Sequence, residues 1–179
     1  MGTQSGDFEL TMDELRVVAC YAAESAEVVL HLFEESAADD PRPRAAIDAA
    51  WSFARGAARI RLQRDTALAA HRAAKQVTDE AAQHAAGAAG DAAAAAYLHP
   101  LAQATQVGHI LRAAARAARA AEMRAGNNPD VGYALIEQAR ERATPLLVEV
   151  LSRYPLAPTG SGRVAELMRR LDQSLRTDR

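Results

Sequence analysis

Apolar residues recur along this chain at three- and four-residue steps and nowhere alternate with polar ones. From Thr11, the set Leu15, Val18, Ala22, Val29 and Leu32 makes one stripe reaching about Glu35, the period of a helix with a single buried face. Thr11 and Glu14 have the spacing of a reciprocal capping box, which sets the expected start of that helix. The prolines of "SAADDPRPR" hold Asp40 and Arg42 extended. A second helix is expected from near Pro43, with Ile47, Ala50, Trp51 and Ala54 inward and Gly56 as its stop. A third is expected over about 58–77, with Arg61, Arg64, Asp65, Arg72 and Lys75 on its wet side. A fourth follows to about Leu98, softened at Gly87 and Gly90.

His99-Pro100 then opens an expected fifth helix, lasting to about Ala125. In "GNNPD", Gly126 can end a helix, Asn128 can cap the next, and Pro129 suits its first position. The sixth helix carries Val131, Leu135, Ala139, Leu146 and Val150, with a kink expected at Pro145. After "YPLAPTGSG", a narrow stripe of Val164, Leu167, Met168, Leu171 and Leu175 marks a last helix. The expected fold is all-α, a compact array of six or seven helices in a single domain. Residues 1–10 read as a loose tail and 11–155 as the helical body. Residues 160–176 read as an amphipathic helix packed on that body or at a dimer interface.

Composition sharpens this picture in one respect. Hydrophobic residues reach 49% but aromatics only 4%, because much of the apolar content is alanine, the best helix former and a small one. Close-packed helices with thin interfaces are expected. A formal charge of −2 creates no global field for nucleic acid or anionic membrane, so neither is an expected partner. The single Cys20 excludes an internal disulfide and fits a reducing compartment. The opening "MGTQSGDFELTMDE" has no secretory pattern, and no apolar run is long enough to span a bilayer. A soluble cytoplasmic protein is expected.

Candidate chemistry gathers in "AYLHPLAQATQVGHIL". On one helix, His99, Gln103 and Gln106 would share a stripe, with His109 on its shoulder and Thr105 beyond. In an alanine-rich interface these groups must find partners, since an unmet buried polar group costs about 1–3 kcal/mol. They read first as a polar seam fixing how the fifth helix packs, and second as a ligand pocket. His71, His99 and His109 could together hold a metal ion in an enzyme, although no HExxH or ExxH pair exists. No catalytic residue, resident metal or cofactor is assigned. Arg42 and Arg44 at a helix start are a candidate anion or partner contact, or else pair with nearby aspartates. Trp51 sits at core spacing and reads as a packing anchor. Arg112, Arg116, Arg119 and Arg124 read as a solvated face, given Glu122 beside them and the near-neutral chain.

Two punctuated segments carry a family likeness. "DDPRPRAAIDAAWSFARG" (Asp39–Gly56) and "AAAAAYLHPLAQATQVGHILRAAARAARAAE" (Ala92–Glu122) resemble immunity proteins associated with bacterial polymorphic toxin systems. The matching positions are Arg42, Pro43, Arg44, Ile47 and Trp51, then His99, Pro100, Leu101, Thr105, Gln106, His109 and Ile110. The likeness runs from about Thr11 to Glu122 and loosely to Leu151. It implies a small all-helical protein that binds a cognate toxin without doing chemistry on it. The leading expectation is thus toxin neutralisation by direct association. The alternatives are the His71/His99/His109 metalloenzyme and a scaffold that dimerises through Val164, Leu167, Met168, Leu171 and Leu175.

Overall fold

A computed structural model describes residues 8–177, and within them every regular element is helical. Nine α-helices appear where six or seven were expected: α1 (Met12–Glu27), α2 (Leu30–Ser36), α3 (Arg42–Ala54), α4 (Arg61–Ala74), α5 (Glu80–Ala94), α6 (Val107–Arg124), α7 (Pro129–Arg142), α8 (Pro145–Ser152) and α9 (Arg163–Thr177). Single 3-10 turns cover Ala95–Tyr97 and Ala104–Gln106. The extra helices arise from two splits, each with a local cause, and a third difference shortens α6.

The Thr11 capping box forms as the spacing requires. Thr11 Oγ1 accepts from the Glu14 backbone N–H at 3.2 Å, and Glu14 Oε2 accepts from that of Thr11 at 2.8 Å. The stripe beyond it belongs to two helices, however. The chain turns at the β-branched pair Val28-Val29, leaving Val28 45% exposed while Val29, Leu32 and Phe33 are buried. The Pro145 kink is likewise a full break. Thr144 takes an extended conformation before the proline, and its hydroxyl caps α8 by accepting from the Leu147 N–H at 3.2 Å.

The third difference is the largest. Residues 98–103 are not helical, and α6 starts only at Val107. The carboxamide oxygen of Gln106 accepts from the His99 N–H at 3.0 Å, and the Tyr154 hydroxyl donates to the His99 carbonyl at 2.8 Å. The Phe8 N–H donates to the Pro100 carbonyl at 3.3 Å. These partners satisfy backbone groups that a helix would otherwise have paired. They also bear on the expected N-terminal tail: Phe8 meets Tyr154 edge-on at 5.0 Å, while residues 1–7 of that tail lie outside the described residues.

At the centre is α5, buried along most of its length and unbroken at Gly87 and Gly90. It packs most extensively between α4 and α6, with α1 and α3 also against it. Alanine dominates these inner faces, while Phe33, Phe53, Ile47, Ile110 and Leu111 supply bulk. The α9 stripe is also internal: Leu167 and Leu171 are fully buried, and Met168 and Leu175 nearly so. That helix packs against α6 and α7 of its own chain. Among the described residues, no helix is long and apolar enough to cross a membrane.

Candidate functional site

The outer surface of α4, α5 and α6 concentrates the titratable chemistry of the molecule. Four of the five histidines lie on or beside it: His71 on α4, His84 on α5, His109 on α6, and His99 in the segment leading to α6. Helical steps of three and four residues align His109, Arg112, Arg116 and Arg119 along one side of α6. Their focus is Asp91 of α5, a nearly buried carboxylate. Arg116 Nε donates to Asp91 Oδ2 at 2.8 Å, Arg112 Nη1 lies 3.7 Å from Oδ1, and His71 Nε2 lies 3.6 Å from Oδ1.

Three glycines allow this arrangement. A Cβ at Gly90 would stand 2.7 Å from His71 Nε2, and one at Gly87 would stand 2.8 Å from an Arg116 guanidinium nitrogen. One at Gly108 would collide with the Arg112 guanidinium. The imidazole and both guanidinium groups therefore lie flat on glycine backbone. The Nδ1 atom of His84 is buried with no hydrogen-bond partner among the described residues.

Burial pushes the pKa of His71, His84 and His109 below the ordinary imidazole value. Asp91 opposes the shift at His71, whereas Arg116, Arg112 and Lys75 add to it. Arg116 and Arg119 add to it at His84, with Glu80 opposing. Arg112 adds to it at His109, with Asp91 opposing and His99 adding. Since the folded values are depressed, the unfolded chain takes up protons first as pH falls. The stability contribution is complete above the ordinary histidine value and is lost as pH drops through it toward the folded value. The melting temperature should therefore fall between neutral pH and about pH 5, before carboxylates begin to protonate. Thermal melts across that range check this, and replacing His71 by glutamine should flatten the slope. A melting temperature that rises on acidification would refute it.

The sequence-singled residues are only partly brought together. With 98–103 non-helical, the expected seam does not assemble: His99, Gln103 and Thr105 are exposed, and Gln106 instead caps the His99 backbone. His109 is half-buried on α6 and faces the Asp91 cluster with His71. His71, His99 and His109 do not converge as metal ligands. Among the described residues, no three His, Cys, Asp or Glu side chains group to hold an ion.

Arg42 and Arg44 both have partners within the chain. Arg42 donates to Asp40 at 2.8 Å and to Gln76 at 2.6 Å, and Arg44 grips both Glu34 oxygens at 2.6 and 3.0 Å. Trp51 is half-buried at the core edge and not enclosed, since its helix turns Phe53 fully inward instead. The indole N–H donates to Glu27 at 3.2 Å, and the Arg55 guanidinium lies 4.8 Å from the ring centre. Trp51, Glu27 and Asp48 line a surface groove of about 640 Å³. The α6 arginines are not a merely solvated face either, because three of them serve the buried acids Asp91 and Glu122. Sequence reasoning missed Asp91, 25 residues from Arg116. The available signal was the pair of glycines, Gly87 and Gly90, just before it on α5.

The model of the family described as "Imm-5 like putative immunity protein" matches residues 9–144. The chain belongs to that family. The match takes in α1 to α7, so every residue of the Asp91 cluster lies inside the family region, and it ends where α8 begins. No curated protein and no solved structure matches this immunity-family chain.

Proposed function

We propose that this member of the immunity family neutralises a cognate bacterial toxin by direct, stoichiometric association in the cytoplasm. The observation that carries the reading is the family match over residues 9–144, which spans the helical body and its most chemically concentrated surface. The surface offers fixed charged groups to a binding partner. Its buried acid, Asp91, is held by Arg116 at 2.8 Å. Preformed rigid surfaces of this kind lose little conformational freedom on docking.

The test is co-expression with the toxin encoded beside it. Cells should survive, and the two chains should co-purify as a stable complex with the toxin covalently unchanged. Toxicity that persists when this protein is in excess, with no complex recovered, would remove the reading. The dimeric scaffold has no such support, because Leu167 and Leu171 are already covered by the chain itself.

A further inference from the structure

We propose that the α4–α5–α6 face is a preorganised docking plate for an acidic protein segment, whose carboxylates pair with Arg112, Arg116 and Lys75. The identity of the partner rests on the toxin-binding reading above, but the chemistry of the plate does not.

More cationic donors are gathered here than the fold requires. Arg116 alone satisfies one oxygen of Asp91 at hydrogen-bond distance, which suffices to pin α5 to α6. Arg112 at 3.7 Å is beyond hydrogen-bond reach of the same carboxylate, and it makes no hydrogen bond among the described residues. Its side chain is 40% exposed, so solvent and a partner can reach it. Lys75, one helical turn beyond His71, is exposed and adds its charge to the field there. A purely structural ion pair would need neither of them.

The donors are also held in place. Arg112 and Arg116 lie against Gly108 and Gly87, so they cannot relax inward, and Asp91 fixes Arg116 by a hydrogen bond and attracts Arg112. A planar guanidinium held this way presents paired N–H groups to a carboxylate at a small entropic cost. Charge points the same way. Arg112 and Arg116 stand at Asp91, Lys75 adds its charge at His71, and Glu80 lies at the His84 end beside Arg119, itself paired with Glu122, while the molecule as a whole is at −2. A locally positive face on a negative body steers an acidic patch into register.

A protein carboxylate fits better than a nucleic-acid backbone. From His109 to Arg119 the α6 stripe is roughly 15 Å long at 1.5 Å per residue, and among the described residues the arginines stacked on rings are Arg55, Arg59, Arg163 and Arg170, none of them in this stripe. The negative remainder of the molecule would also repel an extended polyanion.

The experiment uses the full chain and fluorescence anisotropy with three labelled probes: a short glutamate-rich peptide, a glutamine-rich peptide of equal length, and a single-stranded oligonucleotide of similar charge. The glutamate peptide should bind, the glutamine peptide should not, and added salt should release the bound one. Replacing Arg112 and Lys75 together by glutamine should weaken binding at least about tenfold, or 1.4 kcal/mol. Arg55→Gln, beside Trp51 and outside this face, should change nothing. Lys75→Glu, at an exposed position, serves as a second variant that leaves the Asp91 cluster intact, and it should weaken binding as well.

Absence of glutamate-peptide binding, equal binding by the variants, or preference for the oligonucleotide would each overturn the proposal. Failure here would leave toxin capture untouched. If the toxin is captured equally well by the glutamine double variant, the docking surface is elsewhere and the immunity reading survives.

Discussion

Replacing Glu122 by alanine should destabilise the protein by about 3–5 kcal/mol, the usual cost of removing one member of a buried ion pair. For a chain of this length that lowers the melting temperature by on the order of 10 °C. Glu122 lies on α6, 1% exposed, and collects guanidinium donors from two helices. Arg163 Nε lies 3.1 Å from both oxygens and Arg163 Nη2 lies 2.6 Å from one, while Arg119 Nη1 donates at 3.1 Å. Gly132 of α7 leaves the space in which the carboxylate rests. A single side chain thus ties α6, α7 and α9 together. Without it, two guanidinium groups that are only about a fifth exposed lose their shared counter-charge. The cost comes mainly from that lost counter-charge and not from the net worth of the pair, although Arg163 keeps Glu166 at 2.7 Å, so Glu122→Gln, which keeps an acceptor, should cost less. Urea denaturation of both variants measures this directly. A loss below about 1 kcal/mol for the alanine variant would mean that water reaches Arg119 and Arg163 freely.

Glu122 also shows where sequence reading of this chain stops. The fold class was legible because alanine-rich segments at helical period leave no competing pattern, and local punctuation placed several ends well. The Thr11–Glu14 box, the Asn128 cap before Pro129 and the left-handed Gly56 and Gly126 are all resolved within a few residues of chain. Breaks that depend on distant partners were not legible. The segment after Leu98 is non-helical, and its carbonyls are taken by Tyr154 and Phe8, both far away in sequence.

The same division governs the site. The spacing of Arg112, Arg116 and Arg119 along α6 was visible, and so was His109. What they do was not, since Asp91 is 25 residues from Arg116 and Glu122 is 41 from Arg163. Gly87 and Gly90 looked like weak points in a helix. They turn out to be the clearance that lets Arg116 and His71 lie against α5. Within alanine helices a glycine is informative when a long side chain needs its space, and only the packing reveals which one does.

Leu171→Ala carries the second large expected effect, a loss of about 2–5 kcal/mol. Leu171 is fully buried beside Leu167, on a helix that rests on α6 and α7. Alanine there leaves a cavity in the core cluster that Leu171 shares with residues of α6 and α7. The loss should not depend on protein concentration, because the covering surface comes from the same chain. Pairing through Val164, Leu167, Met168, Leu171 and Leu175 would make a different prediction. In that arrangement the melting temperature of the unaltered protein would rise with concentration, and the substitution would abolish that dependence while lowering the solution mass. Melts over a wide concentration range, together with sedimentation of both forms, separate the cases. Since the α9 stripe faces inward, a second copy could use it only by displacing α9 from its own core, and that exchange would expose the Glu122–Arg163 contact as well.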